Sequence, residues 1–161
     1  MSDYELDDVS VVMGSYNEAE AIGPVLTDID DATDGKAEVV VVDGSSDGTA
    51  DIARDHGATV IEQEPQGYGY AVCEALLSAT NPVRITTDCD GTYPMERIPE
   101  FLDLINEGYD VVSGDRLYHG AETMPTMNRF GNYTFAGLAS VLAGDHMHDV
   151  TTGMRAYHED V

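Results

Sequence analysis

A chain of 161 residues with a 42% hydrophobic share is long enough to bury a real core and too apolar to be disordered. It sets 31 Asp and Glu against 7 Lys and Arg, a formal net charge of −24. That excludes a nucleic-acid binder, because phosphate recognition needs a basic footprint, and equally a general binder of anionic lipid.

Acid spread over the whole chain is tolerable where strong salt screens repulsion over a few ångströms, and it points to a salt-loving archaeal cell. Two cysteines, Cys73 and Cys89, make no disulfide framework and no zinc cluster. The opening Met1-Ser2-Asp3-Tyr4-Glu5 is acidic and is no signal peptide. No run of about 18 apolar residues is present, so a single cytoplasmic domain over 1–161 is expected.

In chain order, Val9 to Met13 reads as a first buried strand, followed by the loop Gly14-Ser15-Tyr16-Asn17-Glu18. Ile22, Leu26 and Ile29 then fall at helical spacing. Val39 to Val42, four β-branched residues in a row, predict a strand buried on both faces, as in a parallel sheet. It ends at Asp43-Gly44-Ser45-Ser46-Asp47-Gly48-Thr49, where Ser46 or Asp47 is placed to cap a second helix. Ala58 to Glu62 is a third strand, and Gln66 to Ala79 a third helix opened by Gly67-Tyr68-Gly69. Val83 to Thr87 is a fourth strand. It stops at Asp88-Cys89-Asp90-Gly91-Thr92-Tyr93-Pro94.

Beyond it, Met95 to Asn106 carries Ile98, Phe101, Leu102 and Ile105 on one helical face. Tyr109 to Gly114 is a fifth strand. A helix is expected from about Asn128 to Leu142, and a short strand near Met154 to Tyr157. The alternation predicts an α/β fold with a mostly parallel central sheet and helices on both faces. Ligands of such sheets sit at the carboxyl ends of the strands. The polar segments Asn17-Glu18, Asp43, Asp88 with Asp90, and Asp115-Arg116 all follow strands. Carboxylates at i and i+2 at a strand end can close on a hard cation that also holds phosphate oxygens.

Six segments in this order resemble the family 2 glycosyltransferases of the GT-A fold, and within them the polyprenyl-phosphate (dolichyl-phosphate) sugar transferases. They are Val9 to Glu18, Val40 to Thr49, Gly67 to Ala71, Asp88 to Pro94, Tyr109 to Arg116, and Asp149-Val150-Thr151-Thr152-Gly153-Met154-Arg155. The resemblance implies a nucleotide-diphosphate sugar donor, a polyprenyl or dolichyl phosphate acceptor, an inverting transfer and a Mg2+ or Mn2+ cofactor. It leaves room for peripheral membrane contact, since relatives often continue into a helix or transmembrane segment that docks the lipid.

By the same resemblance, Tyr16, Asn17 and Glu18 line the nucleotide pocket and Asp43 contacts base and ribose. The family commonly has two aspartates before the Gly-Ser. Here they are Val42-Asp43, so either Asp43 acts alone or the loop is one residue shorter. Gly67 and Gly69 lie at a helix start suited to phosphate or a polar base edge. Asp90 is the expected direct metal ligand, with Asp88 beside the sugar or ribose. Thr92 stands where some relatives have a Gln, which leaves water to complete the metal shell. Arg116, Arg129 and Arg155 correspond to arginines that hold the acceptor phosphate and donor diphosphate, a task a planar guanidinium suits. Asp149 lies near the acceptor.

A phosphate acceptor is already anionic and needs no strong base; a sugar hydroxyl would need one, with Asp149 or Asp115 as candidates. His146, His148 and Asp149 read as a loop rather than a second metal site. Two alternatives stand beside this reading. One is a non-catalytic nucleotide-sugar-binding domain. The other is a sugar-phosphate nucleotidyltransferase, which usually carries a cation in its first loop; Gly14 to Glu18 has none.

Overall fold

The computed structural model describes residues 3–115, 136, 137, 139, 140, 144, 149 and 152–161. The chain forms two compact units, one of Met1–Val112 with Met154–Val161 and one of Ser113–Gly153.

The first unit is built on a sheet of six strands: β1 Val9–Ser15, β2 Glu38–Asp43, β3 Thr59–Glu62, β4 Val83–Thr86, β5 Val111–Ser113 (its last residue already in the second unit) and β6 Arg155–His158. Their order is β3-β2-β1-β4-β6-β5. β1 pairs in parallel with β2 and β4, and β2 with β3. β6 runs antiparallel to β4, with Thr86 opposite Arg155. The tail strand therefore enters between β4 and β5, a place that local pattern does not reveal. His158 N–H donates to the Asp110 carbonyl at 2.9 Å and ties β6 to the start of β5.

The central strands alternate between two cores. Val9, Val11 and Met13 of β1, Val41 of β2, and Val83 and Ile85 of β4 face one way. They meet α1 (Ile22–Thr33), α2 (Thr49–Asp55) and α4 (Ile98–Asn106). Val12, Val40 and Val42 face the other way, against Ala75 and Ala79 of the α3 segment, whose helix spans Tyr68–Ser78. The valine run of β2 is thus buried from both sides, as its composition predicts. On α1, Ile22, Val25, Leu26 and Ile29 form the buried stripe, and on α4 it is Ile98, Phe101, Leu102 and Ile105. Each such side chain contributes roughly 1.5–3 kcal/mol by leaving water.

The ends of elements differ from the sequence expectation in detail. β1 runs on to Ser15, held beside β2 by the pairing of Ser15 with Asp43. The segment before α4 opens as a 3-10 turn over Met95–Arg97. The residue preceding α2 is Gly48 at φ 97, a left-handed conformation that suits glycine. The cap is therefore neither Ser46 nor Asp47; Asp47 stands one residue before it, and its Oδ1 accepts from Thr49 N–H at 3.0 Å and Thr49 Oγ1 at 2.5 Å. Of the helix expected over 128–142, residues 136, 137, 139 and 140 are described and are helical. No helix among the described residues is long and apolar enough to cross a membrane.

Candidate active site

Parallel strands deliver their carboxyl ends, and the loops that follow, to one edge of the sheet. At β1 and β2 those loops are sewn together by hydroxyls and carboxylates from both sides. Asp43, the last residue of β2, is 2% exposed. Its Oδ1 accepts from Ser15 Oγ at 2.5 Å and Ser45 Oγ at 2.5 Å, and its Oδ2 from Ser45 N–H at 3.1 Å. Ser45 Oγ in turn accepts from Asn17 N–H at 2.7 Å, and Asn17 Oδ1 accepts from Ser46 N–H at 3.3 Å.

Asn17 itself sits at φ 57, a left-handed conformation that asparagine tolerates better than most residues. Thr49 Oγ1 accepts from Glu18 N–H at 3.0 Å, and Asp47 Oδ2 from Ala19 N–H at 3.2 Å. The bonds from Thr49, followed by those from the backbone, hold the Asp47 carboxyl below its ordinary value. Tyr16, 60% exposed, stands on this framed loop.

The β4 end is fixed against β1 in the same way. Thr87 N–H donates to the Val12 carbonyl at 3.1 Å, and Cys89 Sγ lies 3.5 Å from the Gly14 carbonyl oxygen. Cys89 is buried, so its two neighbours are turned outward: Asp90 is exposed and Asp88 half-buried. Burial pushes the Cys89 thiol up to about 12, with Glu18 the largest charge contribution and Asp90 and Asp88 behind it. Glu18 and the aspartate pair thus act on the same thiol, although they come from different strand ends. Asp90 Oδ1 accepts from Thr92 N–H at 3.0 Å and Thr92 Oγ1 at 2.6 Å. Asp88 Oδ1 accepts from Tyr68 O–H at 2.5 Å. Burial, then the Asp88 bond and charge, push the Tyr68 phenol far above its ordinary value, so it stays a donor.

Tyr68 is the first residue of α3, preceded by Gly67 at φ 103. Gly67 thus supplies a backbone turn that a side chain would strain. Gly69 lies in the first turn of α3 with open space where a Cβ would stand. Gly14 is where α3 seats on β1: a Cβ built there would lie 2.8 Å from Ala71 Cβ.

Arg155 opens β6. Because β6 is antiparallel, its first residue lies at the carboxyl edge of β4, and Thr86 Oγ1 donates to the Arg155 carbonyl at 3.4 Å. The structure thus gathers Asn17, Glu18, Asp43, Gly67, Asp88, Asp90 and Arg155 along one edge of the first unit. Asp115, exposed, and Asp149, buried, belong to the second unit. Arg116, Arg129, His146 and His148 lie outside the described residues. Sequence reasoning passed over Ser15, Ser45, Thr49 and Tyr68. The available signal was hydroxyls clustered beside the acids that follow β1 and β2, and a tyrosine between two glycines.

The donor set of Asp88 and Asp90 is all oxygen, outward-facing and ionisable, which suits Mg2+ or Mn2+ held by one or two carboxylates plus substrate phosphates. Among the described residues no group of three or more His, Cys, Asp or Glu is placed to hold a metal ion, so those residues offer no all-protein cage. The pair fits a cation whose remaining ligands are phosphate and water.

A doubly covered, mostly parallel sheet of this order defines an α/β domain of the GT-A type. Residues 10–161 match Glycosyl transferase family 2, and the chain belongs to that family of glycosyltransferases. It is 65% identical over 161 residues to the dolichyl-phosphate hexose transferase of Haloferax volcanii, covering 100% of this chain and 71% of that protein. It is 28% identical over 163 residues to the undecaprenyl-phosphate mannosyltransferase of Micrococcus luteus, covering 94% of this chain and 67% of that protein.

Among solved structures it resembles mannosyl-3-phosphoglycerate synthase from Rubrobacter xylanophilus, with TM-score 0.75, 23% identity, and coverage of 94% of this chain and 53% of that one. It also resembles a mannosyltransferase from Pyrobaculum calidifontis in complex with GDP-Man and Mn2+, with TM-score 0.63, 24% identity, and coverage of 95% and 45%. At those identities the two structures speak for the fold. The chain spans about half the length of each.

Proposed function

We propose that the chain transfers a hexose from a nucleotide-diphosphate sugar to a polyprenyl (dolichyl) phosphate, with inversion and with Mg2+ or Mn2+ as cofactor. The observation that carries the reading is the Asp88-Cys89-Asp90 turn. It is pinned to β1 through Cys89 and presents both carboxylates at the carboxyl edge of the sheet. The match to the Haloferax protein along the whole of this chain supports the lipid phosphate acceptor.

In this reading the framed loop of Tyr16, Asn17 and Glu18 takes the nucleoside. Asp43 holds that loop to β2 and is its base- and ribose-facing support. Gly67 and Gly69 open α3 for polar edges of the donor. Asp90, with Asp88 beside it, would hold the cation, which neutralises charge on the leaving diphosphate when bound. Arg155, at the same edge, with Arg116 and Arg129, would hold the acceptor phosphate and donor diphosphate. The acceptor oxygen is anionic near neutral pH, so the residues have to orient and desolvate it rather than deprotonate it. Asp149 would act near the acceptor, as the family resemblance implies. On this reading residues 1–161 belong to one catalytic domain, which a C-terminal membrane-docking extension would complete, and the domain works in the cytoplasm, with the cytoplasmic face of the membrane as the place where it would meet a lipid acceptor.

Transfer of labelled hexose from GDP- and UDP-sugars to polyprenyl phosphate in concentrated KCl tests this. The expected result is metal-dependent transfer that Asp90→Ala abolishes. An Asp90→Ala protein with full transfer, or a wild-type protein that neither binds nor turns over any nucleotide-sugar, overturns it.

A further inference from the structure

The two aspartates of the turn are each held by one oxygen. Tyr68 O–H occupies Asp88 Oδ1 at 2.5 Å. Thr92 Oγ1 and N–H occupy Asp90 Oδ1 at 2.6 and 3.0 Å. Among the described residues neither Oδ2 has a hydrogen-bond partner. The holders differ in origin: Thr92 belongs to the same turn, whereas Tyr68 reaches across from the first residue of α3. Tyr68 is 56% exposed, so it does not fill a core, and its hydroxyl meets the carboxylate. The seat of α3 on β1 at Gly14 and Ala71 fixes where that hydroxyl falls.

We propose that Tyr68 and Thr92 are positioning residues that favour one-oxygen over two-oxygen ligation by Asp88 and Asp90 and so bias the cation preference of the site toward Mg2+ and Mn2+ and away from Ca2+. The inference rests on the metal-assisted reading above and deepens it. Its physical basis is the difference between the cations. Mg2+ demands a near-ideal octahedron, keeps several waters and is content with one oxygen from each of one or two carboxylates plus phosphates. Ca2+ takes 6–8 oxygens and gains from carboxylates that bind through both. A phenol on one oxygen takes up one of that oxygen's two lone pairs and so competes with the two-oxygen mode, while the other oxygen stays open to a cation. A charge-assisted O–H···O bond of this length is strong enough to compete with a weakly held ligand. Removing the hydroxyl alone, in Tyr68→Phe, leaves an exposed ring in place and opens the second oxygen of Asp88. Thr92→Val does the same for one of the two donors on Asp90 and acts more weakly, because the backbone N–H remains.

The test uses Mn2+ as the probe, its free aqueous signal followed by electron paramagnetic resonance. The full chain is held in concentrated KCl with GDP-mannose and, separately, a UDP-hexose. Mg2+ and Ca2+ are titrated as competitors, and melting curves confirm that each variant is folded. In the wild type Mg2+ displaces Mn2+ more readily than Ca2+ does. In Tyr68→Phe the Ca2+-to-Mg2+ displacement ratio shifts toward Ca2+ by about tenfold, a change of about 1.4 kcal/mol. In Thr92→Val it shifts less. A folded Tyr68→Phe that binds Mn2+ with an unchanged ratio overturns the inference and leaves the transfer reading standing. A wild-type chain that binds no Mn2+ with either nucleotide, yet transfers labelled hexose, overturns the inference and the metal together while sparing the sugar transfer.

Discussion

Ser15 and Asp43 end two neighbouring parallel strands in register, and a 2.5 Å hydrogen bond from Ser15 Oγ to Asp43 Oδ1 joins them. Asp43 thereby works on the loops before it works on any ligand, because Ser45 and, through Ser45, Asn17 hang from the same carboxylate. Asp43→Ala leaves two hydroxyls and an N–H without their acceptor in a buried place. The expected loss is about 3 kcal/mol, or roughly 6–12 °C in melting temperature for a chain of this size. Calorimetry measures it. Donor binding falls with it, since the loop carrying Tyr16 loses its anchor. Asp43→Asn, which keeps an oxygen acceptor, recovers part of the stability, and a nucleotide-binding titration shows whether affinity recovers in step.

Gly14 and Ala71 define how close α3 comes to β1. A methyl at Gly14 would lie 2.8 Å from Ala71 Cβ, nearer than such atoms approach, so Gly14→Ala pushes the first turn of α3 outward. Overpacking of this kind costs about 1–3 kcal/mol. It also draws Tyr68 away from Asp88, so activity falls more than stability alone explains. The double variant Gly14→Ala with Ala71→Gly exchanges the methyl across the contact. It should restore much of both the melting temperature and the transfer rate, which a thermal melt and a labelled-sugar assay report side by side.

How much of this was legible in the sequence follows from the range of the interactions. β1, β2 and β4 announce themselves because buried strands need apolar runs, and Val39 to Val42 leaves little choice. Asp43, Asp88 and Asp90 stand out because acids at the ends of such runs are local facts. The position of β6 does not follow from Arg155 to His158, since four residues carry no register and pairing with β4 spans about seventy positions in the chain. The same limit hid Ser15, Ser45, Thr49 and Tyr68. Their importance lies in partners 20 to 31 residues away, or in Ser45's place between Asp43 and Asn17, and a hydroxyl beside an acid looks like any turn. Arg116 and Arg129 fall outside the described residues, so their roles rest on the transfer assay.

The two cysteines should behave as opposites. Cys73 is exposed on α3, while Cys89 is buried and its thiol is pushed up to about 12 by burial and by Glu18, Asp90 and Asp88. The thiolate is the reactive form, so Cys89 has almost none of it at neutral pH. A maleimide titration of the folded chain at pH 7 should modify one thiol quickly and the second only after denaturant is added. Cys73→Ser removes the fast phase. Two fast thiols in the folded chain would mean that the turn carrying Asp88 and Asp90 is not pinned to Gly14.

Glu38 offers a test at the opposite edge of the sheet. Burial acts to raise its carboxyl, but hydrogen bonds from the Ser10 hydroxyl, from Thr80 N–H and Oγ1 and from the Asn81 backbone outweigh it, and the net effect is to lower it below 4.5. Ser10 Oγ also accepts from Asn81 N–H at 3.2 Å, so the cluster joins the starts of β1 and β2 to the turn before β4. A carboxyl lowered by folding adds stability above its unfolded value and loses it as pH falls through the folded one. Glu38→Gln should therefore be less stable than the wild type at pH 7, by about 1 kcal/mol for partly exposed bonds to a charged group. The gap should close as the pH is taken below 4.5 in strong salt. Denaturant melts at several pH values measure it, and a gap that widens on acidification would reverse the sign. Ser10 lies roughly 16 Å along β1 from Ser15, so nucleotide affinity should be the same in both proteins at pH 7.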